Sequence, residues 1–272
     1  MQNKQVPLFV SADPELGSIN LTAGNDRFSV QFKNTLTFPP ECQNMTIECN
    51  QATVWWTVVN IETGINDLFQ LEVSGDAVYV VTLEAGLYDV SALNNAVNND
   101  LVNQGLAAGL VSIIADNATQ KILLSFSTAG LQVEWIAQSF FQLVGFNSLQ
   151  LVPAGGFTVG AFSELAPNIA DFSDISSFLL HTSLVHNGIP LGDTASQALA
   201  QILINVRPGS QINFNPFNPI KLNVDHLRGQ TINEISVWLT DQLNRTLDFN
   251  GQFFTALLVI KYHLDDAGVS HI

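Results

Sequence analysis

The chain has 272 residues, 47% of them hydrophobic and only 12% charged, with 24 acidic against nine basic residues and a formal net charge of −15. That is too apolar for a disordered chain, which combines low hydrophobicity with high charge, and its negative field repels phosphate backbones, which argues against direct nucleic-acid binding. No apolar run reaches the ~18 residues of a membrane span, and Met1 to Gln5 hold no apolar signal core, so the expectation is a protein not secreted through a signal peptide.

The first third of the chain is strand-like. Phe28, Val30 and Phe32 alternate with polar neighbours between Arg27 and Lys33, the period of a half-buried strand. A connection through Pro39 and Pro40 leads to a long extended stretch, Met45 to Ile61, which ends in a turn at Gly64. Leu68–Val73 and Ala77–Leu83 form a hairpin around Ser74-Gly75-Asp76. The pattern then changes. Ser91 is the expected N-cap of a helix running to about Gln104, with Leu93, Val97 and Leu101 as its apolar stripe and Gly105 as its stop. Val111–Ala115 and Lys121–Phe126 make a second hairpin, a strand follows at Leu131–Trp135, and Ile136–Val144 is expected as a short helix ended by Gly145.

Residues 151–176 are punctuated by Gly and Pro and expected to be irregular. Strands return at Ser177–His186 and Leu199–Val206. The segment Asn213–Pro219 cannot be a central strand, because Pro216 and Pro219 have no N–H to donate. A short strand at Ile220–Val224, one at Ile232–Leu239 and a last one at Phe254–Leu264 complete the chain. Many short strands at this spacing favour a sandwich or barrel over a parallel α/β sheet.

Chemistry is sparse. No nucleophile elbow, phosphate loop or dinucleotide fingerprint occurs, and no Cys or His cluster has zinc spacing, so no catalytic residue, cofactor or metal is expected. His181 and His186 are five apart on one expected strand and so face opposite ways. Asp225-His226 is expected as a turn pair rather than half of a catalytic dyad, and Asp265-Asp266 as a solvated tail rather than a cation site. Cys42 and Cys49 are too few for a disulfide framework and are expected as reduced thiols. Trp55-Trp56 and Phe140-Phe141 sit in apolar elements and are expected in the core. Phe214 and Phe217 differ: their loop is rich in Asn and Pro, which makes them the candidate subunit-interface residues, with local core packing as the equal alternative.

Three passages carry a resemblance. They are Phe28–Ile61, centred on Ala52-Thr53-Val54-Trp55-Trp56-Thr57-Val58-Val59-Asn60-Ile61; Leu83–Asn94, closed by Leu143-Val144-Gly145-Phe146; and Ile235–Gln242, followed by Leu247–Gln252. In that order they resemble the minor capsid (penton-type) proteins of Polinton-like viruses, adintoviruses and virophages, with Val144 where that family usually has Leu. The resemblance implies a mainly β protein: a single jelly-roll β-sandwich built from 1–83 and 151–272, with an inserted helix–hairpin–helix α+β domain at 84–150. It implies a virion protein of the icosahedral capsid, assembled inside the host cell as a homopentamer beside the major capsid protein. Two alternatives stay open: a small double-jelly-roll major capsid protein forming trimers, or a receptor-binding spike module using Phe214, Phe217 or Trp238.

Overall fold

The computed structural model describes residues 2–75, 78–172, 175–190 and 196–264. The chain divides into two compact units, Met1–Val58 together with Ile175–Ile272, and Val59–Asp174.

The first unit holds strands β1 (Gln2–Ser11), β2 (Ser18–Ile19), β3 (Arg27–Thr37) and β4 (Cys42–Trp55), and, after the second unit, β12 (Ser177–Thr182), β13 (Ala198–Leu203), β14 (Gln211–Phe214), β15 (Leu222–Asn223), β16 (Thr231–Asp241) and β17 (Thr255–Leu264). One sheet runs β1-β17-β4-β14, with β15 also on β4; the other runs β13-β12-β16-β3-β2. Every pairing is antiparallel. If the two-residue strands β2 and β15 are set aside, eight strands remain among the described residues. Each connection between them crosses from one sheet to the other, except the β12–β13 hairpin. That path is a jelly roll. The structure therefore bears out the expected sandwich.

Alternation explains the core. Met45, Ile47 and Val54 of β4 and Ile235, Val237 and Leu239 of β16 are all fully buried between the sheets. Phe254 meets Phe28 edge-on at 5.1 Å, and Phe249 packs on Phe178. β1 has no counterpart among the expected strands. Its Leu8 and Val10 are buried and Val6 partly so, and it pairs with β17 along its whole length. Its first four residues, Gln-Asn-Lys-Gln, are all exposed and conceal this pattern.

The second unit contains β5 (Leu68–Val73), β6 (Val78–Thr82), α1 (Val90–Asn103), β7 (Val111–Asp116), β8 (Lys121–Phe126), β9 (Leu131–Glu134), β10 (Leu151–Val152) and β11 (Phe162–Leu165). Its sheets run β10-β9-β5-β6 and β11-β8-β7. The unit is wider at both ends than the expected 84–150. The reason is pairing between segments distant in sequence: β9 bonds back to β5, β10 adds to β9 and β11 adds to β8.

Two expectations here need correction. α1 buries Leu93, Val97 and Leu101 as expected, but its N-cap is Asp89, not Ser91: the Asp89 carboxylate accepts from the Ala92 N–H at 2.7 Å. Asp89→Ala should cost about 1 kcal/mol, readable as a shift in urea midpoint and as faster amide exchange in the first turn. No helix forms at Ile136–Val144. The Leu68 N–H donates to the Gln138 carbonyl and Ser139 bridges to Leu68, so the start of this segment is tied to β5. Only one turn remains, and the Phe146 N–H closes it on the Phe141 carbonyl at 2.8 Å. Gly145, at φ 79°, ends that turn, and a Cβ there would run into the Asn168 carbonyl.

Candidate subunit-contact surface

β14 and β15 are two pieces of one path along the open side of β4. Phe214 pairs opposite Ala52, and Leu222 opposite Ile47. Between them the chain must leave the ladder, because Pro216 and Pro219 cannot donate. The excursion separates the two candidate interface aromatics. Phe214 is half-buried and packs against the sandwich core. Phe217 is 97% exposed, with Ile220 beside it in the loop also exposed.

The opposite edges are β1, across its sheet from β14, and β2, across its sheet from β13. Phe9 of β1 is 62% exposed, as is Leu16 in the 3-10 turn between β1 and β2. That turn is capped by Asp13, whose side chain accepts from the Glu15 N–H at 2.9 Å, and Glu15 is exposed. β1 carries Lys4 and Pro7 on its free edge, two devices that discourage another strand from adding there. In the second unit Leu149, Phe157 and Val159 are exposed. The buried Thr158 hydroxyl donates to the Thr128 carbonyl and accepts from the Leu131 N–H.

Trp238, the third candidate for ligand contact, has neighbours on both adjoining strands. His181 stacks on it at 5.2 Å and 4° between ring planes, and the Arg27 guanidinium lies over it at 4.7 Å. Trp56 is buried in the sandwich core and Phe140 in the core of the second unit. Cys42 and Cys49 are buried, unlinked thiols, and burial pushes Cys49 up to about 12, far from a reactive thiolate.

The histidines are arranged in a way the spacing did not suggest. The strand ends at Thr182, and His186 turns to stack on His226 with ring centroids 3.8 Å apart. Asp225 faces elsewhere: its carboxylate accepts from the Met45 N–H and the Asn223 amide and pairs with Arg228 at 3.0 Å. These bonds, with Asn223 foremost, hold Asp225 below the usual carboxylate range. Among the described residues no three His, Cys, Asp or Glu side chains gather to hold a metal, and no helix is long and apolar enough to cross a membrane. Asp265-Asp266 and His271 lie outside the described residues.

Burial lowers the pKa of His181 to about 4, and burial together with the facing His186 lowers that of His226. A depressed histidine is neutral when folded, so the unfolded chain binds protons first. Stability from these groups is complete above about pH 6.5 and lost as pH falls below it. Urea titrations should show stability declining between pH 6.5 and 4. His226→Phe, which keeps a ring on His186 but cannot titrate, should flatten part of that decline. An unchanged slope would refute this.

No protein-family model matches the chain, and no curated protein is similar to it in sequence. Among solved structures, the mavirus penton protein aligns with 96% of this chain and 100% of its own length, at 11% identity and a TM-score of 0.47. A chain of the Sputnik virophage structure aligns with 94% of this chain and 97% of its own, at 13% identity and a TM-score of 0.44.

Proposed function

We propose that this chain is a viral structural protein: a minor capsid, penton-type subunit, present as five copies at each vertex of an icosahedral shell and seated against the major capsid protein. The observation that carries this reading is the topology. A single complete jelly roll is interrupted only between β4 and β12, where the second unit is inserted. Jelly rolls of this kind recur in viral capsid proteins. The three passages that resemble penton-type proteins fall in order on β3–β4, on the entry to α1 and on β16 with the turn that follows it.

The double-jelly-roll alternative needs a second eight-stranded sandwich. The second unit has instead a four-stranded sheet, a three-stranded sheet and a helix. We assign no catalytic role. A chain poor in charge with exposed aromatic residues at its sides suits a repeated building block, since interface cores exclude charge and favour aromatic anchors.

The test is the composition of purified particles. Quantitative mass spectrometry should find this chain at a small fraction of the major capsid protein, and cryo-EM should place it on the five-fold axes. Its absence from particles would overturn the proposal. So would a copy number equal to that of the shell's main protein.

A further inference from the structure

The two exposed sides of the jelly roll correspond in height along the strands. Ala52 of β4 is level with Ala256 of β17 and Val10 of β1, and Ile47 with Ile260 and Val6. Phe214 pairs with Ala52 and Leu222 with Ile47, so the loop carrying Phe217 and Ile220 spans the level of residues 6–10. Phe9 stands at that same level on the opposite edge.

At one end of the sandwich the two edges also differ in charge. Residues 196–224 hold Arg207 and Lys221 and no acidic residue, in a chain with 24 acids against nine bases. Arg207 is exposed in the β13–β14 connection, just beyond the Gln211–Trp55 pair. On the other edge Asp13 and the exposed Glu15 lie just beyond the Ser11–Thr255 pair, at the same end of the sandwich. Each edge therefore offers an exposed phenylalanine at mid-height, and at one end the two carry exposed charges of opposite sign, Arg207 and Glu15; the exposed Lys4 and Lys221 lie away from that end.

We propose that the partner for each edge is the other edge of a second copy of this chain. The β14–β15 side of one subunit meets the β1–β2 side of the next, with Phe217 and Ile220 against Phe9, and Arg207 against Glu15. This deepens the function proposed above and rests on it. The contact is heterologous, so it repeats around an axis along the strands until the ring closes. It is made by side chains rather than by sheet extension, because Pro7 and Lys4 blunt the β1 edge. Equal heights on the two edges are what a ring requires, since rotation about an axis moves nothing along it.

Analytical ultracentrifugation of the full chain tests this. The wild type should sediment as a closed oligomer, and Phe217→Asp and Phe9→Asp should each be monomeric with unchanged circular dichroism. Each variant keeps one intact edge, so mixing them should yield a one-to-one dimer that grows no further. Glu15→Arg should weaken assembly, and adding Arg207→Glu in the same chain should restore it. A wild type that stays monomeric at all concentrations overturns the proposal, as does an oligomer that survives Phe9→Asp or Phe217→Asp. Either result would leave the capsid role standing if the chain still occupies the vertices of purified particles. Absence from particles would instead remove the reading on which it rests.

Discussion

Trp135→Ala is expected to destabilise the second unit by about 3–5 kcal/mol, the usual cost of removing a large aromatic from a core. Trp135 is fully buried and is the hub of that core. Phe146 stacks on it at 5.2 Å, and Phe140 and Phe69 meet it edge-on at 5.5 and 5.6 Å. These four residues come from three places: β5, the end of β9 and the turns that follow it. Removing the indole therefore loosens the packing that holds these segments together. Trp135→Phe should be far milder. The indole Nε1 is buried with no acceptor among the described residues, so phenylalanine removes an unsatisfied donor as well as some volume. Amide exchange at Val133 and Leu71 would read both variants. Unchanged protection in the alanine variant would show that the aromatic cluster does not stabilise the unit.

That cluster also marks how far the sequence could be read. The hairpins β5–β6 and β7–β8, the stripe of α1 and strands β3, β16 and β17 were legible because each declares itself locally, by alternation, by spacing of three or four, or by a turn residue. Phe140, Leu143 and Val144 have helical spacing too, but one turn satisfies it, and the preceding backbone bonds to β5 instead. Whether a helix continues depended on a partner about 70 residues away, which no local pattern records. The limits of the insert were hidden for the same reason, since β9 chooses β5 across the whole of α1 and the second hairpin. β1 was hidden by its polar start, although Val6, Leu8 and Val10 alternate behind it.

The exposed edges of the sandwich were half legible. Pro216 and Pro219 point to a sheet edge, and an aromatic between them is exposed unless something covers it. The same reasoning could not separate Phe214 from Phe217, which depends on where β14 leaves β4. The opposite edge, with Phe9 and Leu16, becomes visible only once the order of strands is known. The stacking of His186 on His226 was likewise out of reach, because it joins two connections 40 residues apart in sequence.

Asp241→Ala should cost the first unit about 1–3 kcal/mol, the usual penalty for leaving buried donors without an acceptor. Asp241 is 1% exposed at the end of β16. Its carboxylate accepts from the backbone N–H groups of Leu243 and Arg245 at 2.9 and 2.8 Å, and from the Arg245 guanidinium at 2.5 Å. The turn between β16 and β17 is thus wound around one side chain, with Asn244 in the left-handed region at φ 63° completing it. The turn is also held from the other side. Asp26 accepts from the Leu247 N–H at 3.4 Å and the Thr22 hydroxyl at 2.5 Å, and the Phe249 N–H reaches the Gly24 carbonyl at 2.9 Å. A Cβ at Gly24 would meet the Leu247 carbonyl, so the backbones there approach as closely as only glycine permits. Alanine at 241 strands two backbone donors, whereas Asp241→Asn returns one acceptor oxygen but sets an amide among donors. The expected order of urea midpoints is therefore wild type, then asparagine, then alanine. If alanine and asparagine lose the same amount, volume rather than hydrogen bonding is what the site requires. If neither loses 1 kcal/mol, the turn is held without the Asp241 carboxylate, by its backbone bonds together with Asp26 and Gly24.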